Sequence, residues 1–142
     1  MPWPPQGLYF KKDVNSVEDM KGVKFRSYNN ATSRLAELTG MLPVTIEAAE
    51  LSQAFATGVA ESMISSGATG YDQKVWESLT NFSKDYTEFT YDGLREGGMK
   101  VEPASEELMT GLRAVGDTMT SEWLESSGDD GQTIVDGYKS MQ

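Results

Sequence analysis

Short apolar runs alternate with segments whose apolar residues recur at helical spacing, and this alternation constrains the fold more than any other feature of the sequence. Residues 22–28 and 41–46 have the length and composition of strands, and apolar residues at helical spacing lie between them. A strand–helix–strand order favours parallel strands with helices on both faces of the sheet. We therefore predict a three-layer α/β fold with a mostly parallel sheet of four or five strands.

The first predicted helix begins at a cap, Asn29 or Asn30, and ends at Gly40. Its predicted inner face consists of Ala31, Leu35 and Leu38. The pattern then predicts a short helix over 51–58, a strand over 59–64, a loop over 65–70, a helix over 71–79 with Trp76 beside its apolar face, a strand over 85–91, a glycine-rich connector over 93–98 and an edge strand over 100–102. Ser105, followed by two glutamates, predicts the start of a C-terminal helix with Leu108, Leu112, Val115 and Met119 on its buried face, and a last helix carries Ile134, Tyr138 and Met141.

A chain of 142 residues is the size of one ordinary domain. We predict a single lobe over residues 1–142. Its parts are an extended N-terminal segment over 1–21, fastened by Trp3, Leu8, Tyr9 and Phe10, an α/β core over 22–91, a connector over 92–104 and C-terminal helices over 105–142.

Composition excludes several classes of function. The net charge of −10 argues against nucleic acid as a partner, since phosphate binding needs clustered lysine and arginine. The absence of cysteine and histidine removes thiolate sites, the commonest metal ligand and the commonest general base. We therefore predict no enzyme activity, no catalytic residues, no metal and no cofactor. The first five residues do not form a signal peptide, which predicts a cytoplasmic location for the chain as expressed.

Ligands of open α/β sheets bind beyond the carboxyl ends of the strands, and two segments are predicted there. The first contains Arg26, whose planar fork of donors matches a carboxylate, with Tyr28 and Asn29 bordering it. The alternative is an arginine paired with a structural aspartate or glutamate. The second segment contains Ser65, Ser66 and Thr69, in a loop of small residues that leaves backbone N–H groups accessible; taken alone, most such loops are only turns.

Two blocks of sequence are more specific. The first reads SVEDMKGVKFR over 16–26, and the second comprises Gly40, Pro43-Val44, Glu50 and AFATGV over 54–59. In this order they resemble the solute-binding proteins of tripartite ATP-independent periplasmic (TRAP) transporters, and the tail from Gly98 to Trp123 is similar to the C-terminal region of that family.

The resemblance implies a periplasmic-binding-protein-like lobe in which Arg26 binds the carboxylate of a small organic acid, in a family that works in the periplasm. The family often carries an asparagine where this chain has Ser65 and Ser66. Its members have two lobes; from the resemblance we expect that this chain lacks the N-terminal lobe and that residues 83–97 replace two crossings between lobes.

We therefore expect an isolated, engineered lobe with a weak half-site for organic carboxylates, which membrane subunits of the transporter do not engage. The alternative is a folding or ancestral-lobe protein without ligand binding, which self-associates as a homodimer through the former cleft.

Overall fold

The computed structural model describes residues 6–84 and 88–140. Six strands and five α-helices lie in these ranges: β1 Gln6–Phe10, β2 Lys24–Ser27, α1 Asn30–Leu38, β3 Leu42–Thr45, α2 Leu51–Ala56, β4 Ser62–Ser66, α3 Gly67–Asp72, β5 Asn81–Lys84, α4 Glu88–Glu96, β6 Lys100–Pro103 and α5 Glu106–Lys139. Single 3-10 turns lie at Glu18–Met20, Ala48–Glu50 and Val75–Glu77. The α/β fold predicted from the sequence is confirmed.

The strands form one sheet in the order β3-β2-β4-β1-β5-β6. Strand β2 runs parallel to β3 and β4, and β5 runs parallel to β6. Strand β1 is antiparallel to both of its neighbours, β4 and β5. The sheet is therefore mixed and has six strands instead of four or five, because the N-terminal segment contributes a central strand.

The residues of β1 explain this central position. Leu8, Tyr9 and Phe10 are all buried, with Tyr9 directed to one face of the sheet and its neighbours to the other. A strand that is apolar on both faces has to be covered on both faces. The N-terminal segment is therefore an integral part of the core.

Two apolar clusters cover the faces of the sheet and make the fold three-layered. The first joins the sheet to α2, α4 and the 3-10 turn at Val75, and consists of Tyr9, Ile46, Leu51, Ala54, Phe55, Ala60, Met63, Val75, Leu79, Phe82, Leu94, Met99 and Val101. The second lies under α1 and α5, and consists of Leu8, Phe10, Val14, Met20, Val23, Phe25, Ala36, Met41 and Leu108. Each large apolar side chain buried in this way contributes roughly 1.5–3 kcal/mol.

Helix α1 begins and ends as predicted, but its buried side differs. Asn29 caps it, and Gly40 follows it with a φ of +74°. Thr32 and Ala36 are buried, whereas Ala31 is exposed and Leu35 and Leu38 are half-buried. The face of α1 that packs on the sheet is therefore rotated by one residue from the face that the apolar spacing predicts.

The prediction of one helix over 71–79 is wrong. Helix α3 ends at Asp72, and Lys74 has a left-handed backbone with φ of 47°, which a continuous helix cannot contain. Val75 and Leu79 are buried, but Tyr71 is 49% exposed. The apolar spacing comes from a turn that leads into β5.

The strand predicted over 85–91 is also wrong from Glu88 onward, where α4 begins; residues 85–87 lie outside the described residues. Strands β5 and β6 are parallel, and two parallel neighbours need a crossover between them, usually a helix. Helix α4 is that crossover, and it takes up most of the glycine-rich segment predicted as a connector. Its Gly93 is required because a Cβ there would lie 2.3 Å from the Tyr71 ring.

The C-terminal helix starts as predicted, with the Ser105 hydroxyl accepting a hydrogen bond from the backbone N–H of Leu108 at 3.1 Å. Helix α5 continues to Lys139 and is kinked at Gly128, where φ is 61°. Arg34 of α1 holds Glu122 of α5 through both carboxylate oxygens. Within residues 6–84 and 88–140, no helix is both long and apolar enough to cross a membrane.

Candidate functional site

Arg26 lies one residue before the carboxyl end of β2 and is only 7% exposed. Its Nε donates a 2.9 Å hydrogen bond to the backbone carbonyl oxygen of Ile46, which follows β3. In the sheet Arg26 is the partner of Val44 on one side and Met63 on the other. Its side chain therefore leaves the sheet on the face of the first apolar cluster and turns toward the carboxyl ends of the parallel strands.

The two terminal amino groups of Arg26 are the chemically important part of this side chain. Within the described residues they form no hydrogen bond, and Arg26 takes part in no ion pair. Burial lowers the pKa of Arg26, and the negative charge of Glu47 partly opposes this shift. The guanidinium thus stays charged, as arginine does in proteins, and keeps a fork of donors for an anion.

Tyr28 lies beside this guanidinium. The Cζ atom of Arg26 is 4.6 Å from the centroid of the Tyr28 ring, a cation–π contact. The Tyr28 hydroxyl donates a 2.9 Å hydrogen bond to Oε1 of Gln6 in β1. Because β4 lies between β2 and β1, the Tyr28 side chain crosses the end of β4.

Ser65 is the predicted residue that lies on the same face as Arg26. It follows Met63, the sheet partner of Arg26, by two positions, and alternate residues of a strand share a face. Ser65 is 8% exposed, and its hydroxyl has no hydrogen-bond partner among the described residues. A free donor and acceptor therefore lies on the strand next to the arginine.

Ser66 and Thr69 are engaged with each other. The Ser66 hydroxyl caps α3 by accepting from the backbone N–H of Thr69 at 3.2 Å, and the two hydroxyls are 3.0 Å apart. The predicted loop over 65–70 is in fact the end of β4 followed directly by α3. These two side chains stabilise the start of α3.

Asn29 has a similar local role. Its Oδ1 accepts from the backbone N–H of Thr32 at 2.8 Å, and the Thr32 hydroxyl accepts from the backbone N–H of Asn29 at 3.2 Å. This is a reciprocal cap of α1. Of the six predicted site residues, Arg26, Tyr28 and Ser65 therefore present side chains at one edge of the sheet, while the polar side chains of the other three serve caps.

Gln6 belongs to the same edge and was not predicted. It is the first residue of β1 and lies opposite Ser66 in the antiparallel pair. Only the antiparallel direction of β1 brings its first residue to the carboxyl ends of β2 and β4. No local pattern in the sequence carries that information.

One cavity lies away from this edge. A cavity of about 310 Å³ lies beside the start of β2, at the opposite edge of the sheet, and is lined by Lys11, Lys12, Lys21, Gly22, Val23 and Glu61. Across the part of the chain that the structure describes, no group of three or more acidic side chains could hold a metal ion.

Comparison with known proteins identifies the family. The family model of bacterial extracellular solute-binding protein, family 7 (DctP), matches residues 7–92, which is more than half of the chain. The chain belongs to this family. The family consists of solute-binding proteins of transport systems and is not an enzyme class, and the resemblance seen in the sequence is confirmed. None of the curated proteins matches the chain.

The solved structures similar to this chain include three such solute-binding proteins. A TRAP solute-binding protein from a marine metagenome, specific for pyroglutamate, is 42% identical with a TM-score of 0.91 over 98% of this chain. DctP7 and DctP6 of Bordetella pertussis, receptors that bind pyroglutamic acid, are 32% and 34% identical with TM-scores of 0.89 and 0.87 over 97% of this chain. The chain spans 60% of the length of each of the three.

Proposed function

We propose that this lobe binds a small cyclic carboxylic acid of the pyroglutamate type, with Arg26 as the ionic anchor for the carboxylate. The observation that carries the proposal is the buried guanidinium of Arg26, which has no acidic partner among the described residues. A buried, unpaired charge is costly, and such a group is retained where a ligand supplies the opposite charge.

The chemistry of pyroglutamate fits the groups at this edge. Its carboxylate is planar and accepts two parallel hydrogen bonds, which the terminal amino groups of Arg26 can donate. Its lactam ring adds one N–H donor and one carbonyl acceptor, and the Ser65 hydroxyl can serve either group. The Tyr28 ring offers a flat wall beside the arginine.

The relatives support this class of ligand. The three structures described above, which are 32–42% identical to this chain, are all proteins for pyroglutamate. We propose that this chain shares their ligand. In the same way we propose that the protein acts in the periplasm, as a solute-binding component of a TRAP transporter.

The 142 residues should bind weakly on their own. They span 60% of the length of the three pyroglutamate proteins, so contacts from the remaining part of such a protein are not available when these residues are tested alone. We expect a dissociation constant of about 1 mM or weaker, which corresponds to about −4 kcal/mol.

Chemical-shift titration of the 142-residue chain with L-pyroglutamate tests the proposal. The comparison ligand is 2-pyrrolidinone, which keeps the lactam ring and lacks the carboxylate. Arg26→Lys keeps the charge but loses the fork, and Arg113→Lys, on the exposed surface of α5, is the matched control. We expect pyroglutamate to shift the resonances of Arg26, Tyr28 and Ser65, and 2-pyrrolidinone to leave them unchanged. Arg26→Lys should lower the affinity for pyroglutamate at least about 10-fold, and Arg113→Lys should not change it.

The proposal fails if 2-pyrrolidinone shifts the same resonances equally, or if Arg26→Lys binds as tightly as the unchanged protein. If 2-oxo, 2-hydroxy or dicarboxylic acids bind more tightly than pyroglutamate, the carboxylate site stands and the ligand class changes. Self-association of the chain as a homodimer stays a prediction. Sedimentation at increasing concentration tests it, since a single species of monomer mass would remove the dimer.

A further inference from the structure

A continuous contact leads from β1 to the buried guanidinium. Oε1 of Gln6 accepts the hydrogen bond of the Tyr28 hydroxyl at 2.9 Å, and the Tyr28 ring centroid is 4.6 Å from Cζ of Arg26. Exposure falls along this path, because Gln6 is exposed, Tyr28 is 39% exposed and Arg26 is 7% exposed. These two contacts therefore link a residue at the surface to the environment of a buried charge.

The hydrogen bond to Gln6 is the one that the Tyr28 side chain forms among the described residues. Tyr28 follows the last residue of β2, and its backbone N–H donates to the Thr32 hydroxyl at 3.1 Å, but more than a third of its surface is in solvent. An exposed aromatic side chain exchanges rotamers on a fast timescale unless a contact selects one of them. Gln6 provides that contact from a paired strand, since its own backbone is opposite Ser66.

The orientation of the Tyr28 ring matters because, among the described residues, the buried side chain of Arg26 is hydrogen-bonded at one atom only. Nε is fixed by the Ile46 carbonyl, while the terminal amino groups have no partner among the described residues. A ring against one face of the guanidinium limits the plane in which the fork lies. Donors held in the plane of the carboxylate bind it without a further loss of freedom.

We infer that Gln6 is a positioning residue, which holds Tyr28 against Arg26 and thereby sets the direction in which the arginine presents its fork. Gln6 acts through Tyr28 and does not contact the ligand. The effect on ligand affinity rests on the proposed carboxylate site. The effect on the guanidinium does not, because it exists in the free protein.

The first experiment therefore uses the protein without ligand. The Tyr28 ring current shifts the δ-methylene and Nε–H resonances of Arg26, and Tyr28→Leu defines their positions without the ring. Gln6→Met keeps the side-chain length and removes the accepting oxygen, while Gln6→Glu keeps an accepting oxygen. We expect Gln6→Met to move the Arg26 resonances most of the way to the Tyr28→Leu positions and Gln6→Glu to leave the ring contact in place.

Gln53→Met is the matched control, since Gln53 is an exposed glutamine on α2. It should leave the Arg26 resonances where they are. If Gln6→Met also leaves them unchanged, Tyr28 keeps its place without Gln6 and the inference is overturned. This outcome is reached whether or not any acid binds, so it is distinct from failure of the proposed function.

The second experiment is a double-mutant cycle read by pyroglutamate affinity. Tyr28→Phe keeps the ring and removes the hydroxyl that donates the hydrogen bond to Gln6. We expect Gln6→Met to lower affinity about 3- to 10-fold alone, and by less than about 1.5-fold in the Tyr28→Phe background, because residues in one hydrogen-bonded path are not additive. An equal loss in both backgrounds would mean that Gln6 touches the ligand directly and would overturn the positioning role.

Discussion

The Nε of Arg26 and the carbonyl oxygen of Ile46 are joined by a 2.9 Å hydrogen bond, which ties a side chain of β2 to the backbone that follows β3. Because the bond uses Nε, both terminal amino groups can still donate two parallel hydrogen bonds to a carboxylate. Arg26 is therefore anchored to the fold at Nε, and its terminal amino groups have no hydrogen-bond partner among the described residues. A charge held in this way favours binding at the expense of stability.

We predict that replacing Arg26 by methionine leaves the lobe at least about as stable as before. The variant loses one hydrogen bond, worth about 1 kcal/mol, but it also removes a desolvated charge without an acidic partner among the described residues. The free energy of unfolding, measured in urea, should change by less than about 1 kcal/mol or increase. A loss of 3 kcal/mol or more (on the order of a broken buried ion pair) would show that Arg26 has a structural partner.

Substitutions at Ser65 and Ser66 should have different effects, one on ligand binding and the other on stability. Ser66→Ala removes the cap of α3 and should cost about 1 kcal/mol of unfolding free energy with little effect on ligand. Ser65→Ala removes a hydroxyl without a partner in the described chain, so stability should change by less than about 0.5 kcal/mol while pyroglutamate affinity falls. Urea unfolding measures stability, and the chemical-shift titration measures affinity. If Ser65→Ala lowers stability and leaves the affinity for pyroglutamate unchanged, Ser65 does not belong to the site.

Gly70 lies so close to the side chain of Tyr9 that a larger residue does not fit there. A Cβ at residue 70 would lie 2.2 Å from the hydroxyl oxygen of Tyr9, which is buried and donates to the carbonyl oxygen of Ser66 at 3.0 Å. Gly70→Ala should therefore destabilise the lobe by about 2–4 kcal/mol, because neither the ring nor α3 can move freely.

Two further variants control this prediction. Gly116, in α5, has nothing within 4 Å of an added Cβ, so Gly116→Ala should stabilise by about 0.5–1 kcal/mol. Combining Gly70→Ala with Tyr9→Phe removes the shortest contact and should cost less than the sum of the single changes. Additive costs would place the strain elsewhere than at the Tyr9 hydroxyl.

Two carboxylates predict how stability depends on pH. The hydrogen bond from Arg34 lowers the pKa of Glu122 below its ordinary 4.5, and the backbone N–H of Asn15 with the groups of Ser16 lowers the pKa of Asp19 below 3.8. A group whose pKa is lower in the folded protein stabilises fully above its unfolded pKa, and this contribution disappears as the pH falls through the folded value. Stability should therefore fall with decreasing pH below about pH 4.5.

Urea unfolding at a series of pH values between about 6 and about 3 checks this expectation. Glu122→Gln should weaken the pH dependence, and Glu125→Gln, an exposed glutamate one turn further on, should leave it unchanged. Equal slopes for the unchanged protein and Glu122→Gln would show that the contact with Arg34 contributes nothing in solution.

Local patterns predicted the elements around Arg26 well. The strand that contains it, the cap at Asn29, the turn at Gly40 and the strand that follows all have signals that lie within a few neighbouring residues. Prediction failed over 71–79 and from Glu88 onward. There the same aromatic and apolar residues fit a helix, a turn or a strand, and the pairing of β5 with β6 made the choice.

The sequence by itself determined the α/β class, the start of α5 and the arginine at the end of β2, because these depend on apolar period, capping residues and one strand end. Only the tertiary structure decided that β1 is central and antiparallel, that Ser66 and Thr69 serve a helix cap, and that Gln6 reaches Tyr28. These are contacts between residues far apart in sequence, or choices between local and distant partners. Hydrogen bonds and packing across the sheet select them, and no window of neighbouring residues contains that information.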